Sequence, residues 1–142
     1  MKPESVERDL LKVFDELNQQ YFNNQIVAGI GWRRMRTRKK YITVGLCSIH
    51  ERFIEINIIL KDKRVPYWFL KYIVYHEMLH LVHGLGHSEP FLTEEKTYPD
   101  YERSAKFFEE DIVDVYDDWV IYFNETKRGT NGKDKGKNIN ND

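Results

Sequence analysis

The chain holds one cysteine in 142 residues, Cys47. That excludes a disulfide within the chain and any zinc site built from a cage of cysteines. A reducing, cytoplasmic setting is the matching expectation. Only four prolines and eight glycines interrupt it, so no long low-complexity linker divides the chain. No apolar run approaches the ~18 residues a membrane span requires. The opening "MKPESVERDL" lacks the apolar centre of a secretory signal. Net charge is also scarce, −1 at pH 7, which argues against a protein bound to nucleic acid over its whole surface.

What is present is a soluble-type balance of 41 % hydrophobic and 32 % charged residues, sized for one domain. The charge is unevenly spread. Six of the eight residues in "RRMRTRKK" (33–40) are basic, whereas 89–118 carries eleven acids against three bases. Such segregation bears on partners and steering more than on fold.

Hydrophobic spacing organises the rest. Val6, Leu10, Val13, Leu17 and Tyr21 recur at three- and four-residue steps, predicting an amphipathic first helix with Pro3 in its first turn and Asn23–Asn24 at its end. Three β-like runs follow, 26–32, 41–46 and 53–60, and their short links suggest an antiparallel meander. A helix after Pro66 comes next, then a long final helix from Pro99 with Tyr101, Ala105, Phe108, Ile112, Val115, Trp119 and Tyr122 on one stripe. The expected architecture is α+β: an N-terminal helix, a small three-stranded, mainly antiparallel sheet, a buried helix and a long C-terminal helix. Residues 1–126 form the expected domain, and 127–142 read as a disordered polar tail.

The segment from Tyr67 to Val82, "YWFLKYIVYHEMLHLV", is apolar on every side apart from Lys71 and the set His76, Glu77, His80. A helix of that kind is buried. Burying an uncompensated carboxylate costs several kcal/mol. A divalent cation removes that difficulty. At ~100° per residue His76 and His80 share a face one turn apart, with Glu77 beside them, the arrangement of a His-Glu-x-x-His zinc motif. The bland alternative is a buried helix whose histidines bond to backbone or tyrosines.

A catalytic zinc needs a third protein ligand and an open position. His83 shares the face but stands ~10.5 Å from His76 along the axis, and its side chain would have to pass His80. Gly84 and Gly86 permit a turn that returns His87 over the face, so His87 is the preferred third ligand. Glu89, Glu94 and Glu95 remain rivals as oxygen ligands. His83 is then expected at the surface, and His50 as an ordinary loop histidine.

With these residues in place the chain resembles a SprT-like zinc metallopeptidase domain, within the zincin group. The resemblance runs from about Phe14 to Phe108 and includes "LNQQYFNNQIVAGIGW", "IEINIIL", "HEMLH", "HSEPF" with His87 four residues before Phe91, and "YPDYERSAKFF". The cysteine-rich zinc ribbon of many such proteins is absent from this sequence. The resemblance implies Zn2+ held by His76, His80 and His87, with Glu77 as general base for water attacking a peptide bond. It also implies an extended protein or peptide substrate lying along the edge of 41–46 or 53–60. Tyr98, Tyr101 or Arg103 could support an oxyanion, and spacing selects none of them.

Two other readings compete. One is a catalytically silent, zinc-stabilised module that contacts nucleic acid or a protein through Arg33, Arg34, Arg36, Arg38, Lys39 and Lys40. The bland account of those residues is a solvated turn between strands. The other is a metal-free helical interaction domain.

Overall fold

A computed structural model of the chain describes residues 3–36 and 41–129, with side chains through residue 126. The first helix, α1 (Leu10–Tyr21), starts later than its apolar spacing suggests, because Asp9 caps it by accepting from the Lys12 N–H. Pro3 and Val6 therefore precede the helix. Ser5 forms a bridge with Asp62, and the Val6 N–H bonds to the Lys61 carbonyl. Asn23 and Asn24 end the helix as expected, both in the left-handed region (φ 55° and 59°). Buried Asn18 then exchanges two hydrogen bonds with the backbone of Ile26, aiming the chain into the sheet.

The sheet comprises β1 (Gly29–Arg33), β2 (Gly45–Ser48) and β3 (Phe53–Asn57). Its order is β1-β3-β2, with β1 parallel and β2 antiparallel to β3. The meander expected from short links is thus replaced by a mixed sheet. Ile54 and Ile56 of β3 are fully buried, so this strand takes the centre. β2 lies at the edge, on the side of β3 away from β1. After Asn57 the run expected as strand tightens into a short 3-10 helix, Ile58–Lys61, with the Asn57 side chain accepting from the Ile59 N–H.

Helix α2 (Tyr67–His83) passes through the centre of the core, with Phe69, Leu70, Val74, Met78 and Leu79 fully buried. Helix α3 (Glu89–Lys96) follows, capped by Ser88 and with Pro90 in its first turn. The long final helix is two: α4 (Tyr101–Glu110) and α5 (Ile112–Gly129), broken at Asp111. The expected stripe holds only in its second half: Ile112, Val115 and Trp119 are buried, whereas in α4 the buried residues are Ser104 and Phe107, and Ala105 and Phe108 are exposed. Helix α5 passes the expected domain end at 126, and the rest of the expected tail, 130–142, lies outside the described residues. Beneath α5, Asp62 receives hydrogen bonds from the Trp119 indole (2.8 Å) and from the Arg64 backbone and guanidinium. No helix among the described residues is long and apolar enough to cross a membrane.

Candidate metal centre

His76 and His80 lie one turn apart on α2, and the chain beyond that helix brings His87 to them. Gly84 makes this possible: it ends α2 at φ 95°, a conformation that strains any residue with a Cβ. Ligand atoms of His76, His80 and His87 all lie within 4.8 Å of one another, close enough to share an ion. His87 is the exposed member and His80 the buried one.

Hydrogen bonds decide which nitrogen each helical histidine presents. His80 Nδ1 is 2.9 Å from the Gly84 carbonyl, which can only accept, so Nδ1 carries the proton and Nε2 keeps its lone pair. His76 Nδ1 lies 2.6 Å from Glu95 Oε2, freeing its Nε2 in the same way. Burial holds His80 below the usual imidazole range, which favours the neutral, ligating form. The residues present therefore fit a divalent ion of the zinc type.

The two remaining histidines and the three acids considered as rival ligands divide clearly. Glu95 sits behind His76 on its Nδ1 side and also accepts from the Tyr72 hydroxyl at 2.5 Å. Burial raises the Glu95 carboxyl, but those hydrogen bonds outweigh it and leave the group below its ordinary range. Glu94 bonds to His83 Nε2 at 2.8 Å, so His83 is half-buried and engaged with α3 instead of standing free at the surface. Glu89 is exposed and outside the histidine cluster. His50 is an exposed turn residue, as expected.

Glu77 is 5 % exposed. Its carboxyl is pushed up to about 7 by burial, against the opposing effect of His76 and with a further push from Glu95. It packs against Gly45 of the edge strand, where a Cβ would stand 2.8 Å from Glu77 Oε2. Neither Gly45 nor the Tyr72–Glu95 pair was singled out by sequence for these roles. No local pattern marks them, since each acts on a residue far away in the chain.

A cleft of about 700 Å³ opens beside this cluster. Residues 42–45 form one wall, Ile73, His76 and Glu77 the floor, and Tyr101, Phe108 and Ile112 part of the other wall. Of the three oxyanion candidates only Tyr101 lines it. Tyr98 is buried and stacked on Tyr75 (4.4 Å between centroids), and Arg103 lies over Trp68 and pairs with Asp100.

The basic run is partly committed to internal contacts. Arg33 pairs with Glu55 at 2.8 Å, and the Arg34 guanidinium covers the Phe123 ring at 4.1 Å. Arg36 is exposed; Arg38, Lys39 and Lys40 lie outside the described residues.

No protein-family model matches the chain, and no curated protein matches it in sequence. Among solved structures it is similar to the metallopeptidase zymogen jannalysin of Methanocaldococcus jannaschii. The TM-score is 0.59 at 17 % identity, covering 79 % of this chain and 95 % of that one. It is also similar to the metallopeptidase zymogen abylysin of Pyrococcus abyssi, with a TM-score of 0.54 at 17 % identity over 69 % of this chain and 87 % of the other. At that identity the likeness speaks for fold alone: this chain has an α+β fold similar to that of these two metallopeptidase zymogens.

Proposed function

We propose that the chain is a zinc-dependent peptidase of the SprT-like kind, hydrolysing peptide bonds in the cleft between residues 42–45 and α4. The observation that carries this reading is the convergence of His76, His80 and His87 beside a buried glutamate at the floor of an open cleft. A purely structural zinc site closes its coordination with protein ligands and has no use for an adjacent base. This favours the enzyme over the silent binding module.

His76 and His80, through Nε2, and His87 would hold the ion. When bound, it would polarise the substrate carbonyl and acidify water. Glu77, on the cleft floor, takes a proton from the attacking water and returns it to the departing amine. A carboxyl held near neutrality by its surroundings suits both steps. The outer edge of β2 offers backbone groups for an extended substrate to pair with.

The test is Glu77→Gln in zinc-loaded protein, assayed on unfolded protein substrates. Zinc content should be retained while hydrolysis falls by at least about a hundred-fold. Undiminished hydrolysis by this variant would refute the reading, as would its absence from the wild-type protein with zinc fully bound.

A further inference from the structure

The stripe that α4 turns toward the cleft contains an anomaly. Tyr101, Ala105 and Phe108 follow helical spacing, and Glu109 stands beside them, four residues after Ala105 and eight after Tyr101. An acid on an otherwise apolar cleft wall departs from the pattern, and such departures concentrate at functional positions.

Three carboxylates line this cleft: Glu77, Glu95 and Glu109. Glu77 occupies the floor beside the histidines. Glu95 is committed to His76 and Tyr72. Glu109 has no hydrogen-bond or ion-pair partner among the described residues, and it is exposed to whatever enters. Among the described residues no lysine or arginine lines the cleft. The remaining lining is largely apolar, with aliphatic Ile42, Ile73, Ile112 and Val113 beside the aromatic rings of Tyr101 and Phe108.

We propose that this cleft takes a lysine or arginine side chain of the substrate, its methylenes against the aliphatic walls and its cationic head at Glu109. Long basic side chains are suited to such a site because they bury their stems while keeping the charge at a wet rim. A wholly apolar residue would fill the walls yet leave the Glu109 carboxylate facing a poorly solvated neighbour. An acidic residue would meet like charge. The eleven acids between Glu89 and Asp118, against three bases, add a longer-range field of the same sign along this part of the chain.

The proposal rests on the peptidase reading, and its test separates the two. Matched peptides carrying arginine, citrulline, norleucine or glutamate on either side of one scissile bond are compared with zinc-loaded protein. Arginine should exceed its neutral isostere citrulline by about five-fold in kcat/KM, as befits a rim-exposed ion pair. Glu109→Gln should remove that difference, and Glu109→Lys should reverse it toward glutamate. Binding of the same peptides to zinc-loaded Glu77→Gln protein, followed by fluorescence anisotropy, gives a second readout that needs no turnover. If nothing is cleaved, the peptidase reading fails while anisotropy still tests the cleft. Equal handling of arginine and citrulline in both measurements overturns the proposal, as does a preference that survives Glu109→Gln.

Discussion

His76 Nδ1 and Glu95 Oε2 lie 2.6 Å apart, joining a helix that carries the histidine pair to the helix that follows His87. The same carboxylate oxygen accepts from Tyr72, one turn before His76, so a single acid fixes both the ring and the helix face behind it. Glu95→Gln should weaken zinc binding about ten- to a hundred-fold in a chelator competition, and Tyr72→Phe should weaken it less. Unchanged affinity in Glu95→Gln would mean that His76 is oriented by packing alone.

Gly45 should prove necessary for the position of the general base. In Gly45→Ala the new methyl stands 2.8 Å from Glu77 Oε2 and 3.1 Å from Ile73 Cγ2. The glutamate is the more mobile neighbour, so the carboxyl should be displaced without unfolding the chain. The expected outcome is a fall of roughly ten- to a hundred-fold in kcat, with zinc content retained. A kcat equal to wild type would show that Glu77 has room to spare.

Metal-free protein should lose stability as pH rises through the range in which Glu77 ionises. Its folded carboxyl titrates near 7 against 4.5 in the ordinary state, so the folded chain binds the proton more tightly. The stabilising contribution is complete below about 4.5 and is lost as pH climbs toward 7, amounting to roughly 3 kcal/mol. Burial depresses His80, which works in the opposite sense over neighbouring pH. Urea melts of wild type and Glu77→Gln in chelator therefore isolate the glutamate: the difference between them should grow with pH from 4.5 to 7. A difference independent of pH would contradict the burial argument.

Far from the cleft, Asp62→Ala should destabilise the fold by about 2–3 kcal/mol, because it strands the buried Trp119 indole N–H and leaves Arg64 with Asp118 as its remaining acid partner. Chemical denaturation reads this directly. A loss within a few tenths of a kcal/mol would show that the Asp62 hydrogen bonds contribute little to holding α5.

The parts of this architecture visible in sequence are those governed by local rules. The all-round apolarity of Tyr67–Val82 marked α2 as buried, and Gly84 marked its end and the returning turn toward His87. Ser88 with Pro90 carried a legible start signal for α3, but the run is only eight residues long and less amphipathic than α4. Strand order was not legible, since β1 and β3 are neighbours in the sheet although β2 lies between them in sequence, and no local pattern marks that pairing. Nor was the break at Asp111, where neither glycine nor proline interrupts the stripe. Glu95 was visible as a nearby acid; its place behind His76, outside the histidine cluster, depends on how α3 packs against α2.

Anomalous diffraction at the zinc edge, from crystals of zinc-loaded protein, locates the ion that would join the buried helix to the turn beyond it. A single strong peak is expected about 2.1 Å from Nε2 of His76, Nε2 of His80 and a ring nitrogen of His87, with no protein atom in the fourth position. No peak at these residues, or a peak coordinated by His76 and His80 with His87 turned away, would rule out the shared metal site.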